Sequence, residues 1–243
     1  MESRQQYWGA GITIILCIVL ISVYFLLQSS ISFFITELVA PQINQRISSE
    51  GISFNGFALS VSIITAAPVC IIFIAIFIKL RRSLSFKDYL GFTRPSNRGF
   101  IKWAVILLII SASFELIPNL LSRQVIPPAL INEYKTAQFL PLFFAAIIIF
   151  GPLFEEVLFR GFAFEGIRHS RIGTVGAVFI TSLLWSFIHF QYNWYGMLGI
   201  FVMGLILGIA RQATGSLYIP VAIHCLNNFA SIIEIMLYIR FFE

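Results

Sequence analysis

The sequence predicts an all-α fold, a polytopic transmembrane helix bundle of about seven (six to eight) spans. Three observations carry that prediction. Hydrophobic residues make up 58% of the 243 positions, charged residues only 11%, and the mean hydropathy is +0.90. A soluble domain is about 45–50% apolar and about 25% charged, so this chain has too few polar side chains to cover a globular surface. Disordered segments are poor in aromatics, whereas this chain carries 26 Phe. Finally, the apolar residues fall into runs near the length that a bilayer requires, about 20 residues each.

Taken in order, the first run is Tyr7–Leu27. It is too long for the apolar core of a signal peptide and no small-residue cleavage site follows it, so it reads as a retained first span. The connection Gln28–Gly56 carries Glu37, Pro41, Arg46 and Glu50 and reads as a loop with room for an interfacial helix. Further spans are expected at Phe57–Leu80, Trp103–Leu121, Phe139–Phe164, Thr174–Phe190, Tyr195–Arg211 and Leu217–Ile239. Gly151-Pro152 inside the fourth should kink or break that helix and free backbone groups. No soluble domain or internal repeat interrupts the runs, so residues 1–243 read as one membrane domain.

Basic residues give the orientation. With a cytoplasmic N-terminus, Arg4, Lys79, Arg81, Arg82, Lys87, Arg94, Arg98, Lys102, Arg160, Arg168, Arg171 and Arg211 fall inside, against Arg46, Arg123, Lys135 and Arg240 outside. This bias follows the positive-inside rule and explains the net charge of +5 without a nucleic-acid partner. The expected partner of the basic loop 79–102 is the lipid bilayer, through anionic headgroups. Cys17, Cys70 and Cys225 lie far apart within apolar runs and read as small buried hydrophobes, with neither disulfide nor zinc spacing.

A few polar residues stand where an apolar span should have none. Glu155, Glu156 and Arg160 lie in the fourth run, and a charge at mid-membrane costs roughly 2.5–3.5 kcal/mol on insertion scales. Glu156 and Arg160 are one helical turn apart and can pair, while Glu155 points about 100° away and has no local partner in the sequence. His189 closes the fifth run, one turn after Trp185, and His224 and Asn228 share a face of the seventh. His169, between Arg168 and Arg171, reads as part of a solvated cytoplasmic turn. Glu115 and Glu234 are further intramembrane acids. Counted along antiparallel helices, Glu155 and His189 reach comparable depth and His224 and Asn228 lie nearer the middle, which allows one constellation.

Such a set suits water activation. A carboxylate in an apolar cavity is a usable general base, an imidazole can share its proton, and a second His with an Asn amide can stabilise an oxyanion. Two His and a Glu (Glu155, His189, His224) could equally hold Zn2+ with a fourth position for water. Either route leads to hydrolysis of an acyl bond, most simply a peptide bond. HExxH and GxSxG are absent from the sequence.

The motifs Glu155-Glu156-Val-Leu-Phe-Arg160, Trp185-Ser-Phe-Ile-His189 and His224-Cys-Leu-Asn-Asn228 resemble the EExxxR, FxxxH and HxxxN/D pattern of the CPBP family of intramembrane proteases. That group comprises type II CAAX prenyl endopeptidases and bacteriocin-processing or Abi-like immunity proteins. The likeness spans about Gly151–Phe229 and departs from the pattern at Trp185, where the family usually has Phe. It implies residues 136–243 as the catalytic helices, with 1–135 supplying the N-terminal helices and the basic loop. It further implies Glu155 as water-activating base assisted by His189, His224 and Asn228 as oxyanion site, and Glu156 and Arg160, with Trp185, as structural support. Both metal-dependent and metal-free chemistry are ascribed to the family. The expected substrate is a hydrophobic peptide or membrane-associated protein, and the expected location is a bacterial inner membrane. The competing classes are a proton-coupled transporter, which intramembrane Glu, His and Arg also mark, and a non-catalytic peptide-binding immunity protein.

Overall fold

A computed structural model describes residues 7–39, 55–81, 85–120 and 126–242, without the side chains of Glu115 and of 117–120. Arg4, Pro41, Arg46, Glu50, Arg82 and Arg123 therefore lie outside the described residues. The described elements are all helices: α1 Ala10–Val39, α2 Gly56–Leu80, α3 Phe86–Leu90, α4 Asn97–Leu120, α5 Pro128–Lys135, α6 Leu140–Arg168, α7 Gly173–Phe187, α8 Trp194–Thr214 and α9 Tyr218–Phe242. Six of them, α1, α2, α4, α6, α8 and α9, are long and apolar enough to cross a membrane, so the protein is an integral multi-pass membrane protein.

Two expectations change. The first helix does not stop at Leu27 but runs to Val39, so the first part of the expected loop is helical. The fifth run yields α7, an apolar helix of only 15 residues. At about 1.5 Å per residue it spans less than the roughly 30 Å hydrocarbon core. It stops because the backbone tightens into three-residue turns, His189 N–H onto Ser186 O at 3.1 Å and Tyr192 N–H onto His189 O at 3.0 Å. Asn193 then caps α8, its side chain accepting from the Gly196 N–H at 2.9 Å.

The α7–α8 hairpin is held close by small residues. A Cβ on Gly204 would lie 3.0 Å from Ser182 Cβ, and one on Gly208 would lie 3.0 Å from Val178 Cγ1. Glycines four apart let two backbones approach, the usual small-residue device of membrane helices. A continuous core joins α1, α2, α4, α6, α7, α8 and α9, with Cys17 and Cys70 among its buried residues. Many large apolar side chains, Ile15, Ile72, Val175 and Leu237 among them, are left facing outward, as a lipid-solvated surface requires.

Long-range bonds collect several basic segments at one end of the bundle. Arg81 donates to Tyr7 O at 2.8 Å, the Tyr7 ring stacks on His169 at 3.8 Å, and Arg211 donates to Leu90 O at 3.1 Å. Leu217 N–H donates to Gly91 O at 2.8 Å, tying the loop after α3 to the loop before α9. The N-terminus, the basic loop after α2, the α6–α7 turn and the α8–α9 turn thus share one end, which matches the grouping read from the charges.

Candidate functional site

The site is built on α6. Of the kink or break expected at Gly151-Pro152, this helix shows no break: it continues and absorbs the proline in wide turns. Residues Ala145–Phe150 and Val157–Ala163 adopt π-helical, five-residue hydrogen bonding around a central α-helical piece. Gly151 N–H reaches back to Ala146 O, and the next donor in that register would be residue 152 onto Ile147 O. Pro152 has no N–H. The amide of Asn228 replaces it, Nδ2 donating to Ile147 O at 2.9 Å. One N–H of Asn228 is therefore committed to the backbone. The freed-carbonyl expectation holds, and its partner is a residue expected at the site.

The two adjacent acids face different neighbours. Glu156 and Arg160 are fully buried and pair at 2.9 Å, as their four-residue spacing predicts. Arg160 also donates to Gly204 O at 3.1 Å and lies over the Trp185 ring at 4.5 Å. Glu156 Oε1 takes a second donor, His224 Nδ1 at 2.9 Å from α9, which spacing alone does not reveal. Glu155 is half-buried, and the absence of a local partner is made good across the bundle: Trp185 Nε1–H donates to its Oε2 at 2.6 Å.

Both histidines are oriented through Nδ1. His189, in the turn after α7, meets Trp185 O at 2.8 Å, and a carbonyl can only accept, so Nδ1 carries the proton. His224 meets a carboxylate oxygen, which calls for the same Nδ1–H. Nε2 is thus the nitrogen each ring has left for substrate or water. Trp185 lies edge-on to both rings, at 5.1 Å from His189 and 5.3 Å from His224. Glu155, Glu156, Arg160, Trp185, His189 and His224 form one connected cluster, and Asn228 stands one turn beyond on α9.

Among the described residues no three His, Cys, Asp or Glu side chains stand close enough together to hold an ion. Glu155 Oε2 and His224 Nδ1 are engaged by protein partners, which leaves Glu155 Oε1 and the Nε2 atoms of His189 and His224 as the donor atoms an ion could use.

A second buried ion cluster lies one helical stretch further along α6. Arg211 of α8 donates to Glu165 Oε1 at 2.7 Å and, through Nε, to Arg160 O at 3.1 Å in the π-helical stretch. Arg168 takes the other Glu165 oxygen at 2.7 Å. His169 does lie in the α6–α7 turn but is only partly solvated there: it is half-buried, stacked on Tyr7 and bonded to Glu165 O at 2.9 Å. The signal in the sequence was Glu165, just past the expected end of the span at Phe164 and three residues before Arg168.

Residues 137–230 match the family model described as Type II CAAX prenyl endopeptidase Rce1-like. An uncharacterized 24.3 kDa protein of Escherichia coli is 42% identical over 81 residues, 32% of this chain and 37% of that protein. The membrane-embedded CAAX protease MroQ of Staphylococcus aureus is 26% identical over 145 residues, 56% of this chain and 58% of that protein. The chain thus spans between about a third and three-fifths of the length of these relatives. No solved structure matches. The family likeness read from the three motifs is borne out, and the matched segment contains every residue of the cluster around Glu155.

Proposed function

We propose that the protein is an intramembrane endopeptidase that hydrolyses a peptide bond in a hydrophobic, membrane-associated peptide or protein, using Glu155 to activate water. The observation that carries this reading is the division of labour between the adjacent acids. Glu156 takes both Arg160 and His224 on Oε1 and is fully buried, its unbonded Oε2 sealed from water, whereas Glu155 is half-buried and, among the described residues, held through Oε2 alone. Its other oxygen is the group available to a water. The match of residues 137–230 to the endopeptidase family supports the same class of reaction and does not favour a transporter.

The reaction balances on these groups. Water oxygen attacks the carbonyl carbon while one water proton passes to Glu155, and the carbonyl electrons become an oxyanion. The C–N bond then breaks, and the proton held on Glu155, relayed by His189, passes to the departing nitrogen. The products are a carboxylic acid and an amine. His224, held at Nδ1 by Glu156, faces the oxyanion with Nε2 when the ring is doubly protonated, and Asn228 supplies its second N–H. A positioned base of this kind contributes about 10²–10⁴-fold.

The test is Glu155→Gln in purified, reconstituted protein on a quenched membrane-peptide library, with and without chelator. Cleavage should fall by about 10²-fold or more in the variant and persist in the wild type with chelator. Full cleavage by Glu155→Gln overturns the role of Glu155. Loss with chelator and recovery with zinc would move the chemistry to Zn2+ held by some of the same side chains. The location, a bacterial inner membrane, is part of this proposal.

A further inference from the structure

Trp185 touches more of the site than any spacing argument assigns to it. Its side chain is 1% exposed and clamped, with the Arg160 guanidinium over its face and the His189 and His224 rings at its edges. A ring held on so many sides has one orientation, and in that orientation its only polar atom, Nε1–H, meets Glu155 Oε2 at 2.6 Å. Its backbone carbonyl meets His189 Nδ1 at 2.8 Å. Phe, the residue the motif usually carries here, would supply the carbonyl and part of the packing but no donor.

We infer that Trp185 is a positioning residue for the hydrolytic carboxylate. Its indole N–H pins Glu155 Oε2 so that the other oxygen meets the water, and its carbonyl fixes His189 with the proton on Nδ1. The inference rests on the reading of Glu155 given above. A free glutamate in a cavity samples several rotamers, and holding a reacting group within a fraction of an ångström is what a locked supporting residue contributes. One residue sets both the carboxylate and the imidazole, so the two move as a unit.

Trp185→Phe separates the donor from the packing. With the N–H gone, kcat should fall about 10- to 100-fold and KM should stay within about twofold; the smaller ring lowers the thermal midpoint, and benzothienylalanine at position 185 should restore most of the midpoint but not kcat. Ultraviolet resonance Raman reads the contact without any turnover: the indole N–H band assigned by subtracting the Trp185→Phe spectrum should have a hydrogen-bonded position in the wild type and shift in Glu155→Leu. Should Trp185→Phe not fold, benzothienylalanine at position 185 keeps the bicyclic shape and removes only the N–H. A wild-type kcat in either variant, a kcat loss that merely tracks the thermal midpoint, or a band indifferent to Glu155→Leu overturns the inference. If Glu155→Gln keeps full activity while the band still shifts, the hydrolytic reading fails and the positioning role goes with it. The contact itself would stand.

Discussion

Glu156 is gripped from two sides, by the Arg160 guanidinium on its own helix and by His224 from α9, and all three are buried. Removing one member of a buried ionic set strands the others, at a cost of about 3–5 kcal/mol. Glu156→Gln should therefore lower the thermal midpoint in detergent or nanodiscs by many degrees. Because the Gln carbonyl can still accept from His224, the residual activity per folded molecule should exceed that of Glu155→Gln. A Glu156→Gln protein that is as stable as the wild type yet inactive would contradict this. The Glu156–Arg160 pair was legible in the sequence, since four residues on one helix fix its geometry. Glu156–His224 and Trp185–Glu155 join residues 68 and 30 positions apart on different helices, and no local periodicity encodes such contacts.

At the scale of elements, α6 carries the proposed site between two stretches of irregular, π-helical backbone. Asn228→Ala leaves the Ile147 carbonyl without its donor beside Pro152, and losing the partner of this part-buried acceptor costs about 1 kcal/mol, toward the low end of the range for buried ones. The variant should unfold earlier, and hydrogen exchange should rise around 145–152 more than elsewhere on α6. Unchanged exchange there would show that Asn228 does not support the proline turn. Gly204 makes a second such test. A side chain there meets Ser182 and the Arg160 guanidinium at about 3 Å, so Gly204→Leu should part α7 from α8, displace Arg160 and abolish activity together with stability. The apolar runs foretold these helices, because a lipid environment demands them. They did not foretell the shortness of α7, since hydropathy continues through Ile188 and Phe190 while the backbone has already turned.

For the whole molecule, charge decides more than orientation. The basic segments meet at one end of the bundle, where Glu165 and Arg211 add a buried pair that Arg211's position at a helix end had disguised as a topology signal. Outside the spans, on α5, Glu133 is buried and desolvation pushes its carboxyl up to about 7 from 4.5. An acid whose folded pKa is raised binds protons that the unfolded chain has already released between those two values. Stability is therefore greatest below about pH 4.5 with respect to this group, and declines as pH rises through about 7, by on the order of 3 kcal/mol. Thermal midpoints measured from pH 4.5 to 8 should show this decline in the wild type and lose it in Glu133→Gln; the same slope in both would assign the effect to another group. Nothing in the sequence marked Glu133, because its burial depends on how α5 folds back.

Delivery of water to a peptide bond by Glu155 is the central step. The most direct measurement is mass spectrometry of a membrane-peptide substrate incubated with the reconstituted protein in H2¹⁸O. The wild type should yield fragments whose new carboxyl terminus carries one ¹⁸O from solvent, and Glu155→Gln should yield about a hundredth of that product or less. Equal labelled product from both proteins, or none from the wild type on any peptide tested, would contradict it.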